Sequence, residues 1–363
     1  MTDWTGAAIA HGSEESSPRL PARPHHLTGW WVVIVAYNRY DLVKASANAY
    51  LAQSPPPQQI LVVDNSDVPD PAALGAPGVQ WTLGHAENGR NSGSAGGFAH
   101  GMDYAFGHGA DYVVLSDQDF MPQPDLLGSL WDTAARYPAA AVSSFTVDPA
   151  TGDVAPALLA TGPDQQSNEL CLAPNSHEMA QSLGWRVTPT RFGSLSEIRS
   201  YASHVGADVG RVPLAFPQGL AISRQIHDSI GTFRREFFVG WEDYEYCCRL
   251  QDGGYPLLLA LGAAGDHHLS WHRTVRLGPL CIKPFGNSPD RFYYYLRNSL
   301  VMARERARGR LLARWALRLV YYSVIYLAFG PPSVTNRFRS TYRAWRSGLS
   351  RIPEGLAPKF TSL

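Results

Sequence analysis

Three short apolar stretches, each closing on polar or acidic residues, constrain this chain most. They are Trp30-Trp31-Val32-Val33-Ile34-Val35-Ala36, Gln59-Ile60-Leu61-Val62-Val63-Asp64-Asn65 and Tyr112-Val113-Val114-Leu115-Ser116. A strand apolar at successive positions rather than alternate ones is buried on both faces, as in parallel sheets covered by helices. Helical patterns from about Asp41 to Gln53 and from Ala95 to Gly107 lie between them, the first stopped by Ser54-Pro55-Pro56-Pro57. Val79 to Leu83 is a weaker strand. This alternation predicts an α/β open sheet with crossover helices. Leu214 to Arg224 reads as a further strand and Tyr244 to Asp252 as a short helix. From Arg291 the chain is helical. Residues 146–212 are polar and spotted with Gly and Pro, which suggests loops and irregular strands over a binding face. Residues 1–28 read as a disordered leader, 29–290 as the main domain and 291–363 as a basic helical extension.

In such a sheet, ligands bind beyond the carboxyl ends of the strands. This sequence places Tyr37-Asn38-Arg39, then Asp64-Asn65-Ser66-Asp67, then Asp117-Gln118-Asp119 at those ends. Two carboxylates after a buried strand repel each other unless a cation sits between them, and oxygen donors suit Mg²⁺ or Mn²⁺. Solvated acids in a turn are the plainer alternative. Gly89 to Phe98 puts small residues before a helix, where the backbone can approach a phosphate closely; a flexible turn would look the same. It is not a dinucleotide fingerprint, and the first strand is followed by no glycine-rich turn. That counts against an NAD oxidoreductase or a nucleotidyltransferase.

Trp241-Glu242-Asp243-Tyr244-Glu245 gathers three acids at a helix start. Acids there suit the helix dipole, which is a structural explanation. Beside aromatic walls a carboxylate is also partly desolvated and can serve as a general base. Asp266-His267-His268 could supply an imidazole metal ligand, or be a surface pair.

Composition limits the remaining options. Lys+Arg and Asp+Glu are both 31, so the chain as a whole is not a nucleic-acid binder. From Arg304 to Lys359, however, only Glu305 and Glu354 oppose the arginines and lysines. The apolar stretch Trp315 to Phe329 within that tail, flanked by arginines, suits a helix lying on an anionic membrane surface, or equally one packed on the main domain. Cys171, Cys247, Cys248 and Cys281 have neither disulfide-framework nor zinc-site spacing and read as reduced thiols. No signal-peptide pattern opens the chain, and no uninterrupted apolar run reaches the roughly 20 residues of a membrane span. A cytoplasmic protein is expected, peripheral on the inner face of the membrane if the tail helix lies on that surface.

Together these motifs resemble family 2 glycosyltransferases of the GT-A fold, with bacterial galactofuranosyl- and rhamnosyltransferases the nearest likeness. The resemblance runs from about Val32 to Asn298. It rests on Val35 to Arg39, Val62 to Asn65, Arg90 to Phe98, Asp117 to Asp119, Trp241 to Glu245 and Phe292 to Asn298, in that order. It implies a mixed open sheet with a Rossmann-like nucleotide-binding half, and transfer from a UDP- or dTDP-sugar to a saccharide or lipid-linked acceptor, assisted by Mn²⁺ or Mg²⁺. Ala36, Tyr37, Asn38, Arg39, Asp64 and Asn65 would cradle the nucleoside. Asn91, Gly93, Gly96 and Gly97 would approach the donor sugar and ribose, with Gln118 and Trp241 nearby. Asp117 and Asp119 match the family's paired acids, Asp119 as the direct metal ligand, with His267 as its partner and His268 in reserve. Asp243 matches the base, and Glu242 is close enough to exchange roles. Gln118 between the two acids favours the rhamnosyl branch. A non-catalytic subunit that only binds a nucleotide-sugar is the alternative, but it would not need Asp117, Asp119 and Asp243 together.

Overall fold

The computed structural model describes residues 22–74, 78–84, 91–173, 180–181, 183–267, 275–277, 280–282, 289–307, 309–330 and 333–350. The first half runs β1 (Leu27–Ala36), α1 (Tyr40–Leu51), β2 (Pro57–Asp64), β3 (Val79–Leu83), α2 (Gly93–Gly107), β4 (Tyr112–Asp117), β5 (Met121–Pro122), α3 (Leu126–Arg136), β6 (Ala141–Val147), β7 (Val154–Ala155), β8 (Leu158–Thr161) and β9 (Glu169–Ala173). Then follow β10 (Arg186–Arg191), α4 (Leu195–His204), β11 (Val209–Arg211), β12 (Gln218–Ser223), α5 (Arg224–Ile230), α6 (Glu242–Asp252), β13 (Leu257–Asp266), β14 (Val275–Leu277), β15 (Leu280–Ile282), α7 (Pro289–Arg306), α8 (Gly309–Phe329) and α9 (Val334–Leu349).

One mixed sheet carries thirteen of these strands in the order β10-β8-β9-β11-β13-β6-β12-β4-β1-β2-β3, with β5 on β13 and β7 on β6. β4, β1, β2 and β3 are parallel. β12 runs antiparallel between β4 and β6, and β13 is parallel to β6. One edge of the sheet therefore gathers the carboxyl ends of β1, β2, β4, β6 and β13 and the amino end of β12. Register fixes the neighbours there: Ala36 pairs with Asp64, Val35 with Asp117, and Gln218 with Ser116.

The apolar strands are buried on both faces, as their composition requires. Val33, Leu61 and Val63 pack with Phe98 and Met102 of α2. Val32, Ile34 and Val62 pack with Val43 and Tyr50 of α1 and with Leu126 and Leu130 of α3. A Cβ on Gly101 would stand 2.4 Å from Val33 and 2.9 Å from Val63, so a glycine lets α2 lie close on the sheet. Cys171, Cys247 and Cys248 are free and buried.

Several boundaries differ from expectation. β1 begins at Leu27, and Arg23 ahead of it pairs with Asp125 and Asp132, so the ordered chain reaches into the expected leader. β12 begins only at Gln218, after the Pro217 carbonyl has accepted the Asp117 N–H. The polar 146–212 stretch supplies β7 to β11 and α4, and β8 to β11 widen the sheet beyond β13. These strands are short, and β10 is mostly exposed, so no long apolar run announced them. α8 is longer than the apolar stretch read from sequence. Its Leu312–Phe329 window is long and apolar enough to cross a membrane by length and composition alone, although it is only 22% buried and carries Arg314 and Arg318. Helix α7 packs on α9 and α8. Phe238 and Val239, ahead of α6, pack into the same cluster as Phe292, Leu296 and Tyr326.

Candidate active site

β4 delivers Asp117, and a turn closed by the Phe120 N–H on the Asp117 carbonyl presents Asp119. His267 follows β13, held by its N–H on the Val147 carbonyl, and is 4% exposed. Its Nε2 lies 3.2 Å from Asp119 Oδ1. The donor atoms of Asp117, Asp119 and His267 all fall within 4.8 Å of one another. Burial and the charges of Asp119 and Asp243, working against His267, push the Asp117 carboxyl up to about 7. Burial also opposes ionisation of Asp119, but the His267 hydrogen bond and charge, helped by Arg39, hold its carboxyl below the usual range. Two carboxylates and a buried imidazole, one carboxylate left without enough positive charge to ionise fully at neutral pH, fit a hard divalent cation. His268 lies outside the described residues.

Gln218 was not foreseen. Its Nε2 donates to Asp117 Oδ2 at 3.3 Å and stands 3.3 Å from the His267 ring nitrogens, while its Oε1 accepts from Thr146 Oγ1 at 2.9 Å. A glutamine at the start of a strand has no sequence signature. Only the antiparallel placement of β12 brings it here.

The nucleoside-side residues divide into exposed and buried. Tyr37 is 43% exposed, and its N–H donates to Gln118 Oε1 at 2.8 Å, tying the ends of β1 and β4 together. Asn38, at φ +54°, donates from Nδ2 to Asp67 at 3.0 Å. Arg39 is close enough to lower the Asp119 carboxyl. Ala36 is buried and offers its carbonyl to the Asn65 N–H. Asp64 is fully buried and already accepts from Tyr40 Oη at 2.6 Å, Trp81 Nε1 at 3.2 Å and the Ser66 N–H at 2.9 Å. Asn65 donates to the Gly93 carbonyl at 2.7 Å and accepts from Ser92. Asp64 and Asn65 thus shape the strand end from within.

The small residues of α2 are accounted for by protein packing. Gly93, at φ +72°, lies against the Phe238 backbone, which a Cβ would meet at 2.0 Å, and its N–H is taken by Asn91 Oδ1 at 2.7 Å. Cβ atoms on Gly96 and Gly97 would meet Ser92 and Asn65. The Ala95 N–H is satisfied by the Phe238 carbonyl at 3.0 Å, so another protein segment occupies the start of this helix.

That segment leads into α6. Trp241, mostly buried at φ +72°, precedes the acids. Glu242 is 7% exposed; its Oε1 accepts from Ser94 Oγ, and its Oε2 has no hydrogen-bond partner among the described residues. Burial, then the Asp243 charge, pushes its carboxyl up to about 8. Asp243 is partly exposed, and its Oδ1 accepts from the Tyr244 N–H at 2.7 Å. Burial raises its carboxyl to about 6, against that hydrogen bond. Asp243 is therefore the more accessible of the two acids and Glu242 the more enclosed. Asp243 also raises Asp117, so the two groups of acids share one electrostatic environment.

The family model for glycosyl transferase family 2 matches residues 31–185. Those residues form a family 2 glycosyltransferase domain. The transferase is 26% identical over 302 residues to galactofuranosyltransferase GlfT1 of Mycolicibacterium smegmatis, covering 81% of this chain and 89% of that one. GlfT1 of Mycobacterium tuberculosis is 26% identical over 303 residues, with coverage of 81% and 88%. Among solved structures, the mannosyltransferase of Pyrobaculum calidifontis in complex with GDP-Man and Mn²⁺ superposes with a TM-score of 0.46 at 16% identity, over 88% of this chain and 86% of that one. GalNAc-T7 with UDP, GalNAc and Mn²⁺ gives 0.44 at 14% identity; the match covers 84% of the transferase and 58% of that chain.

Proposed function

We propose that this transferase moves a sugar of the galactofuranose or rhamnose type from a UDP- or dTDP-linked donor to a hydroxyl of a saccharide or lipid-linked acceptor, with inversion, in cell-wall or surface glycan synthesis. The observation that carries this reading is the meeting of two sets of groups: Asp117, Asp119 and His267 at the strand ends, and Asp243 near enough to raise Asp117. The names of the curated relatives favour galactofuranose over rhamnose.

Asp243 takes the proton from the acceptor hydroxyl as that oxygen bonds the anomeric carbon. The bond from that carbon to the diphosphate oxygen breaks, and its electron pair leaves with the nucleoside diphosphate. Asp117, Asp119 and His267 would hold Mn²⁺ or Mg²⁺, whose charge would offset that of the diphosphate. Tyr37, Asn38 and Arg39, exposed at the end of β1, are placed to meet the nucleoside. Glu242, kept neutral by burial and tied to Ser94, anchors the start of α6.

A thermal-shift series with UDP, dTDP, GDP and CMP, with and without Mn²⁺ or Mg²⁺, tests the donor site. A nucleotide at 100 times its Kd stabilises by about 2.7 kcal/mol. The expected result is one metal-dependent shift, followed by transfer from UDP-galactofuranose in preference to dTDP-rhamnose. A shift without transfer from any donor would leave the non-catalytic nucleotide-sugar-binding subunit as the better account, and no shift with any nucleotide would overturn the donor site.

A second reading concerns the membrane. Leu317, Val320, Tyr321 and Val324 make an exposed apolar stripe on α8, and Phe338 and Tyr342 are exposed on α9 beside Arg339, Arg343 and Arg346. This pattern suits the inner, anionic leaflet, where each arginine near the surface contributes roughly 1 kcal/mol. Flotation with anionic and with neutral vesicles, comparing the chain with its Leu317→Glu/Val324→Glu variant, tests it. Equal flotation of both would sink it.

A further inference from the structure

The segment between α5 and α6 carries positive φ at Phe238, Gly240 and Trp241. Phe238 sits at φ +62°, ψ −65°, and the Val239 N–H donates back to the Phe237 carbonyl at 2.7 Å. This is a γ-turn of the positive-φ kind, rare and strained for a residue with a Cβ. Such a conformation persists only where the surroundings over-determine it.

Two helices do so here. From α7, the fully buried Asn298 turns its Nδ2 toward three backbone carbonyls, those of Phe237 at 2.8 Å, Gly240 at 2.7 Å and Val239 at 3.3 Å. Its Oδ1 accepts from Arg297 Nη1 at 3.0 Å, and the same nitrogen donates to the Glu236 carbonyl. From α2, the Ala95 N–H holds the Phe238 carbonyl, and Ser94 bonds Glu242. The Phe238 ring stacks on Tyr294 at 4.5 Å. A primary amide suits this place because it gives donors to the carbonyls and an acceptor to the guanidinium. A carboxylate there would turn lone pairs toward three carbonyls, and an alanine would leave buried acceptors without partners.

We infer that Asn298, backed by Arg297, is a positioning residue for the transfer: it holds the 237–240 turn so that α6 begins with Asp243 partly exposed in its first turn. This rests on Asp243 being the base. It also makes the reaction depend on a helix lying outside residues 31–185, where the family model matches.

The test is Asn298→Asp in the full chain, nearly isosteric but with the donors removed. Steady-state kinetics, the metal-dependent nucleotide shift and amide exchange across residues 236–243 are read together, with Asp243→Asn alongside. Displacing a reacting group by about 1 Å can cost on the order of 100-fold. Asn298→Asp should lower kcat by about 10- to 100-fold, leave donor KM and the nucleotide shift within about twofold, and speed exchange in 236–243. Unchanged kcat in the folded variant, or an equal loss in kcat and donor affinity, would overturn the inference. Retained turnover in Asp243→Asn would instead overturn the base reading on which it rests. If Asn298→Asp does not fold, Tyr294→Leu takes its place, and the same split between kcat and donor KM decides.

Discussion

The acids at the strand ends and the acids at the start of α6 are built on opposite plans. Asp117 and Asp119 stand with a buried imidazole and the amide of Gln218, groups that reach them from β13 and β12. Glu242 and Asp243 have Ser94 and one backbone N–H as partners of their carboxylates among the described residues, with burial opposing the charge of both. The first set has donor atoms converging on a point, with too little positive charge nearby to hold Asp117 fully ionised. The second has a neutralised member and a partly exposed one. The difference teaches that clustered acids are not one kind of site: convergence favours a cation, whereas burial with divergence separates an acid from a base.

The largest effect is expected on the second set. Asp243→Asn should lower turnover by about 10²- to 10⁴-fold, the usual worth of a general base, while the metal-dependent nucleotide shift is kept. Near-normal turnover would erase the distinction between the two groups. Asp119→Ala should do the reverse, abolishing the metal dependence of the shift, which calorimetry with Mn²⁺ alone would read directly. Gln218→Ala is expected to weaken Mn²⁺ binding by roughly 10- to 100-fold, as for groups that orient metal ligands, with the acid limb of the pH profile unchanged. Equal loss from a distant control, such as Gln165→Ala on the exposed loop before β9, would remove Gln218 from that role.

The smallest effects concern pH. Activity should fall as pH drops through about 6, where Asp243 gains its proton. Stability runs the other way. Glu242 has a higher pKa folded than unfolded, so the native state holds more protons over the window between about 4.5 and about 8, and the contribution of its neutral form is lost as pH rises. Glu242→Gln should therefore gain stability relative to the parent at pH 8 compared with pH 5. Denaturant melts at the two pH values would read this; a gain independent of pH would contradict it.

Much of the sheet was legible because fully buried strands advertise themselves: Trp30 to Ala36 has one physical use, and Val79 to Leu83 appears where expected. The donor atoms of Asp117, Asp119 and His267 lie within 4.8 Å of one another. What stayed hidden depended on long-range pairing. Gln218 is ordinary until β12 inserts antiparallel beside β4, and the short strands β8 to β11 gain their meaning only from pairing with one another and, through β11, with β13. The α2 glycines illustrate a different limit. Sequence announces close approach but not what approaches, and the partner found was the Phe238 backbone.

The neighbouring thiols of α6 offer a practical handle. Cys247 and Cys248 are buried, and that burial keeps both in the protonated, unreactive form. An alkylating reagent can reach them only when α6 lifts from the sheet. Their labelling rate, followed by mass spectrometry, therefore times the opening of the helix that presents Asp243, with no substrate and no turnover required.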